Sequence, residues 1–331
     1  MDIAVVGSGG WGTALAKLLH NNGHQVTIWS FAQSEIDYIK EHHENALLKG
    51  VTIPEEIGLT TDISVVKGKK LVVSAVPSFA VRSTAKNMAP HLDKDTVIVS
   101  VTKGVERDTS KRMSEILEEE TGVTVAVLSG PTHAEEVGRG IPTGCVVACK
   151  EPSLAEMIQD VFRAPNFRAY ASTDVVGTEL GAALKNIYAL IAGVLDGAKC
   201  GDNTKALMMT RGLTESARLG VALGAKKETF AGLSGVGDLI VTCCSTHSRN
   251  HTCGEYIGQG MNVQDAMKKV GAVVEGYYAA ASARQLAQKA GVEMPIAEAA
   301  YHVLYEDAPV EKAIADLMSR GVQYEVEEYW I

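Results

Sequence analysis

The sequence predicts an α/β chain in two parts: a doubly wound, mostly parallel sheet covered by helices, then an all-helical C-terminal domain. Three observations predict it. Residues Met1–Gly12 pass from a short apolar, β-branched segment through Gly7-x-Gly9-x-x-Gly12 into a helix-like stretch. Continuous apolar runs then alternate with helical stretches as far as about Ser172, the pattern of parallel strands buried on both faces. After Ser172 the texture is helical throughout. The expected domains are residues 1–172 and 173–331.

The opening segment is the most specific of these. A strand that turns through glycines into a helix leaves unpaired backbone N–H groups aimed at one point, where a pyrophosphate binds. Gly7 allows the tight turn, Gly9 lets the backbone approach the phosphates, and Gly12 lets the helix pack on the strand. A bare glycine turn is weak evidence by itself, but a second strand, His24–Trp29, follows at the right distance. The N-terminal part is therefore expected to be a Rossmann-like dinucleotide-binding domain.

Further strands are expected over Lys70–Val76, Thr96–Val101, Thr124–Leu128, Thr143–Cys149 and Phe167–Ala171, with helices over Ser78–Met88, Thr109–Glu120 and Ser153–Phe162. Asn45–Asp62 fits the alternation poorly and reads as a loop or a short excursion. The C-terminal helices are expected over Val175–Leu195, Asn203–Leu223, Arg249–Ile257, Val263–Lys269, Glu275–Ala290, Ile296–Tyr305 and Val310–Leu317. Asp174, Asp202 and Ser248 are suitable N-caps. An active site is expected in the cleft between the domains, at the carboxyl ends of the strands.

Composition narrows the functional classes. Of 331 residues 46% are hydrophobic, enough for real cores, and the formal net charge is −9. An acidic chain offers no general basic surface for nucleic acid, so an anionic ligand needs a local cationic pocket. No apolar run reaches ~18 residues, so no membrane span is expected. The chain opens on a functional strand, leaving no room for a signal peptide. Six cysteines without a disulfide-scaffold pattern suit reduced thiols and a cytoplasmic location.

Four segments place polar groups where a purely structural chain would not need them. Lys103, in Val101–Glu106, follows a strand on the ligand side of the sheet or is an ordinary loop lysine. Gly130-Pro131 forces a turn, and Thr132 caps the following helix or exposes N–H groups to an anion. His133 beside it is a candidate acid–base group or a surface histidine. Lys185 and Asn186 interrupt the apolar helix Glu179–Leu190. Burying an amine costs several kcal/mol unless it is paired or neutralised, so Lys185 either snorkels or faces a functional cavity. Burial lowers a lysine pKa, and a nearby cation such as Lys103 would lower it further, which suits general acid–base work. The fourth segment, glycine-rich Gly232–Ile240, leads to Ser248-Arg249-Asn250 at a helix start. There N–H groups and a guanidinium suit a phosphate. Cys243, Cys244, His247, His251 and Cys253 lie close in sequence, but not at the spacing of a zinc site, so no metal is expected.

These residues together resemble one family, the bacterial-type NAD(P)-dependent glycerol-3-phosphate dehydrogenases. GSGGWGTALA, VTKGVE, SGPTHAEEV, LGAALKNIYAL, GDNTKALMMTRGLTE, GLSGVGDLIVTC, HSRN and VVEGYYAA resemble its blocks, in order, from Ile3 to about Tyr305. The resemblance implies that Lys185 is the catalytic proton acceptor in glycerol-3-phosphate oxidation. It implies substrate contacts at Lys103, Gly130, Thr132, Lys185, Asp238, Ser248, Arg249 and Asn250. Besides the turn glycines Gly7, Gly9 and Gly12, it implies cofactor contacts at Gly10, Trp11, Phe31, Lys103, Ala134, Arg249, Val273 and Glu275.

The implied reaction is hydride transfer from NAD(P)H to dihydroxyacetone phosphate, giving sn-glycerol 3-phosphate for phospholipid synthesis. Asp238 would position a substrate hydroxyl or Lys185. Another two-domain dehydrogenase of small hydroxy acids and a non-catalytic dinucleotide sensor are the alternatives. Oligomeric state is open, with a homodimer among the options. Two positions depart from the family pattern: Gly10 stands where serine is common, and Phe31 where a basic residue or histidine is common. With the second strand ending in Trp29-Ser30, no acid repels a 2′-phosphate and no arginine captures it. Weak discrimination between NADH and NADPH is expected.

Overall fold

The computed structural model describes residues 1–245, 248–321 and 324–325. They form two compact units: Met1–Glu106 with Lys111–Val175, and Arg107–Ser110 with Val176–Ile331.

The first unit alternates strand and helix. In chain order it comprises β1 (Asp2–Val6), α1 (Gly10–Asn21), β2 (Gln25–Trp29), α2 (Gln33–His42), β3 (Gly58–Thr60), β4 (Leu71–Ser74), α3 (Val81–Met88) and β5 (Val97–Ser100). It continues with α4 (Met113–Thr121), β6 (Thr124–Ser129), α5 (Ala134–Gly138), β7 (Thr143–Ala148), α6 (Pro152–Phe162) and β8 (Phe167–Ser172). The strands make one eight-stranded sheet in the order β3-β2-β1-β4-β5-β6-β7-β8. Every neighbouring pair is parallel except β6 with β7. Side chains alternate between faces along each strand. Ile3 and Val5 of β1 enter one hydrophobic cluster with Leu15, Leu19 and Phe162, while Ala4 and Val6 enter another with Val81, Met88 and Ile116. Helices thus cover both faces, and each fully buried Val, Leu or Ile contributes roughly 1.5–3 kcal/mol.

Two expectations change in this unit. The poorly fitting Asn45–Asp62 segment contains β3, a three-residue edge strand parallel to β2. The helix expected from Thr109 begins at Met113, because Glu115 reaches back to accept from Arg112 N at 2.8 Å and so fixes the start. Arg107–Ser110 belongs instead to the helical unit, where the Arg107 guanidinium lies 4.5 Å from the Tyr278 ring centroid.

The second unit is built from α7 (Val175–Gly197), α8 (Asp202–Ala222), α9 (Lys227–Phe230), α10 (Asp238–Cys244), α11 (Arg249–Gly258), α12 (Val263–Val270), α13 (Glu275–Ala290), α14 (Pro295–Tyr305) and α15 (Val310–Met318). α7 is long and apolar enough to cross a membrane by length and composition, which the sequence did not lead us to expect. Yet 89% of its apolar stretch is buried by protein, as befits a core helix. It packs backbone to backbone on α11: a Cβ on Gly254 would meet Leu190 O at 1.9 Å, and one on Gly193 would meet His251 O at the same distance. Asp202 is not a cap, since it is the first helical residue and Gly201 holds the cap position at φ 83. Ser248 does cap α11, accepting from His251 N at 3.2 Å.

A buried acid organises the far end of this unit. Glu215 accepts from Tyr188 Oη at 2.9 Å and from Ile296 N and Ala297 N at 3.0 and 2.9 Å, at the start of α14. Burial pushes its carboxyl up to about 7 despite these donors.

The glycine-rich Gly232–Ile240 segment is helical from Leu233 onward. A single π-helical stretch over Leu233–Gly237 runs into α10. Its glycines serve close packing, since a Cβ on Gly235 would meet Phe230 O at 2.1 Å.

Candidate active site

The turn from β1 to α1 has the geometry of a phosphate cradle. Gly7 has φ +123, and a Cβ there would meet the Ala75 backbone at 2.7 Å. A Cβ on Gly12 would meet Gly7 O at 2.1 Å, whereas one on Gly9 would meet nothing within 4 Å. Gly9 therefore has open space where a side chain would stand. It caps α1 with no side-chain hydrogen bond, so the helix presents its first N–H groups and the positive end of its dipole. These features fit a dinucleotide pyrophosphate. Trp11 and Ala134 are half-buried against the core beside the turn, and Phe31 is 90% exposed after β2. A serine in place of Gly10 would not fit without movement: its Cβ would meet Leu47 O at 2.7 Å.

That obstruction comes from the segment the sequence left unassigned. Asn45, buried, donates through Nδ2 to Ser8 O at 2.6 Å and Thr13 Oγ1 at 2.7 Å, and accepts from Leu47 N at 2.8 Å. Asn45 thereby braces the glycine turn.

Lys103, Gly130 and Thr132 converge at the carboxyl ends of β5 and β6. Lys103 Nζ and Thr132 Oγ1 both donate to Gly130 O at 3.1 Å. Thr132 does not cap α5; His133 occupies that position, without a side-chain cap bond.

In the helical unit, Lys185 of α7 is 6% exposed and Asp238 of α10 is fully buried. The ammonium donates to Asp238 Oδ1 and to Thr242 Oγ1, the latter at 2.5 Å. Thr242 Oγ1 in turn lies 2.6 Å from Asp238 O, one helical turn back. Lys185 does not snorkel, and its close neighbour in this unit is an acid rather than a second cation. Burial disfavours the ammonium charge and the carboxylate favours it, two effects of opposite sign. A buried lysine with a fixed acid and hydroxyl is equipped to give and take a proton.

Arg249 opens α11 and is exposed, with no hydrogen-bond or ion-pair partner among the described residues. Asn250 is engaged within the fold: Nδ2 donates to Asn186 Oδ1 at 3.0 Å and Oδ1 accepts from Gly276 N at 2.9 Å. That bracket joins α7, α11 and the start of α13, where Val273 and Glu275 are half-buried.

Burial pushes the Cys243 and Cys253 thiols up to about 12 and about 11, so both are protonated packing groups. His251 Nε2 is 2.8 Å from Asp196 Oδ2, and His247 lies outside the described residues. Among the described residues no three His, Cys, Asp or Glu form a metal-binding group.

Sequence reasoning missed Thr242, Asn45 and the acid Glu35, whose carboxylate reaches Ser30. Thr242 could have been found as the i+4 neighbour of Asp238 had the segment been taken as a helix.

A glycine turn of this form on an eight-stranded doubly wound sheet marks a dinucleotide-binding protein, and comparison with known proteins narrows that class. Residues 2–155 match the NAD-dependent glycerol-3-phosphate dehydrogenase N-terminus and residues 174–315 its C-terminus. The chain belongs to the NAD-dependent glycerol-3-phosphate dehydrogenase family. It is 52% identical to a glycerol-3-phosphate dehydrogenase [NAD(P)+] of Moorella thermoacetica, covering 98% of both chains. It is 48% identical to the Fusobacterium nucleatum protein of the same name, over 99% of this chain and 100% of that one. The crystal structure of glycerol-3-phosphate dehydrogenase from Coxiella burnetii is 35% identical, with a TM-score of 0.92, over 96% of this chain and 99% of that one.

Proposed function

We propose that the protein is an oxidoreductase interconverting dihydroxyacetone phosphate and sn-glycerol 3-phosphate with NAD(P)H. Family membership over nearly the whole chain supports the reaction, and the buried Lys185–Asp238–Thr242 cluster supports the chemistry. The nicotinamide, when bound, exchanges a hydride with the substrate's central carbon. Within the first unit the glycine turn with Trp11, Phe31, Lys103 and Ala134 would hold that cofactor.

Lys185 gives its proton to the carbonyl oxygen as dihydroxyacetone phosphate is reduced and takes it back from the hydroxyl in oxidation. Asp238 and Thr242 fix the ammonium so that little reorganisation accompanies the transfer. Arg249 offers a guanidinium unengaged among the described residues, and beside it Ser248 and the N-terminus of α11 offer donors suited to the substrate phosphate. Asn250, next to Arg249 in α11, is a further candidate substrate contact of the helical unit.

The same reading makes the enzyme a cytoplasmic supplier of glycerol 3-phosphate for phospholipid synthesis, in keeping with six unpaired thiols. Sedimentation velocity distinguishes a monomer from the homodimer. The direct test is oxidation of NADH and NADPH with dihydroxyacetone phosphate against small 2-oxo acids. Turnover of the phosphorylated ketone alone is expected, and turnover of a 2-oxo acid in its place would make the protein a different dehydrogenase.

A further inference from the structure

We propose that Glu35 sets the cofactor preference of this enzyme and favours NADH over NADPH. The inference rests on the dinucleotide reading of the glycine turn. Ser8 lies within that turn and Ser30 directly follows β2; both are buried. Their hydroxyl oxygens are 2.8 Å apart, and each donates within reach of Glu35 Oε2, Ser30 at 2.6 Å. Ser30 Oγ also accepts from Ala32 N at 3.2 Å. Glu35 itself is exposed, in the first turn of α2. The two serines thus pin a surface carboxylate to the carboxyl ends of β1 and β2. Both of its hydrogen bonds fall on Oε2. Among the described residues Oε1 accepts none, and the carboxylate has no ion-pair partner.

Dinucleotide folds hold the adenosine ribose at the end of the second strand, with an acid on the 2′-hydroxyl. Here the strand end carries no acid, and α2 lends one through the serine pair. The available Oε1 can accept from a ribose 2′-hydroxyl. A 2′-phosphate in that place brings acceptors and negative charge to a group that can only accept. The residues between, Phe31, Ala32, Gln33 and Ser34, carry no cation to neutralise it. The weak discrimination expected from Trp29-Ser30 gives way to a preference set from the neighbouring helix.

The test measures equilibrium dissociation constants of NADH and NADPH by calorimetry for the wild type, Glu35→Gln and Glu35→Lys, with melting temperatures as a check on folding. Wild-type protein is expected to bind NADH about tenfold or more tighter than NADPH, the scale of one charged hydrogen-bonding group. Glu35→Gln should bring the two constants within about threefold, and Glu35→Lys should invert their order. Equal wild-type constants unchanged by either variant would overturn the role of Glu35 and leave the dinucleotide site standing. Proportional loss of both cofactors in the variants would make Glu35 only a brace of the turn. Failure of the wild type to bind either cofactor would overturn this proposal together with the site reading.

Discussion

Arg249 and Lys185 are cations in opposite settings. Lys185 is buried and held by Asp238 and Thr242, while Arg249 stands exposed without a partner among the described residues. The first setting suits proton transfer and the second capture of an anion. Arg249→Ala is expected to raise the KM for dihydroxyacetone phosphate by roughly 10- to 100-fold, the equivalent of about 1.5–3 kcal/mol for a hydrogen bond to a charged group. Steady-state kinetics at saturating cofactor measure it, and an unchanged KM and kcat would remove the phosphate role.

Lys185 was legible in the sequence because an amine in an apolar helix is costly and therefore conspicuous. Thr242 and Glu35 were not. The fold carries each to a group distant in sequence, Lys185 in one case and Ser8 in the other.

Among the elements, the glycine turn separates demands of the fold from demands of the ligand. Gly9 has φ −62 and ψ 168, a conformation open to any residue, and space where a side chain would stand. Gly12 has backbone at 2.1 Å. Gly9→Val should therefore keep its melting temperature yet weaken NADH binding at least about tenfold by obstructing the pyrophosphate. Gly12→Val should fail to fold or melt far lower, since overpacking against rigid backbone costs ~1–3 kcal/mol or more. Thermal melts paired with cofactor titrations read both; a Gly9→Val protein with normal affinity would contradict the cradle.

The α8–α14 junction makes a pH-dependent prediction. The Glu215 carboxyl is raised from its ordinary 4.5 to about 7, so the folded state keeps a proton that the unfolded chain has released. Its contribution to stability is full below 4.5 and is lost as pH rises to about 7. Chemical denaturation of wild type and Glu215→Gln across that window should show the wild-type advantage shrinking with rising pH. A constant difference would contradict the shift. In the segment before α10, Gly232, Gly235 and Gly237 carry a turn-like local signal, but tertiary packing uses Gly235 for contact with Phe230 O.

For the whole molecule, the division into a doubly wound sheet and a helical unit was readable because buried parallel strands leave continuous apolar runs and amphipathic helices leave a different period. The edge strand β3 escaped notice because three residues, Gly58–Thr60, are too few to establish a pattern. The antiparallel pairing of β6 with β7 has no signature in the composition of either strand.

Lys185 is proposed to move the proton in the reduction of dihydroxyacetone phosphate. Single-turnover oxidation of bound NADH by that ketone, in wild type and Lys185→Met, tests it most directly. The wild type should yield one sn-glycerol 3-phosphate per NADH consumed. The variant should bind NADH normally and react at least ~100-fold more slowly, the lower bound for losing an acid–base group. A Lys185→Met enzyme that turns over at near the wild-type rate would contradict it.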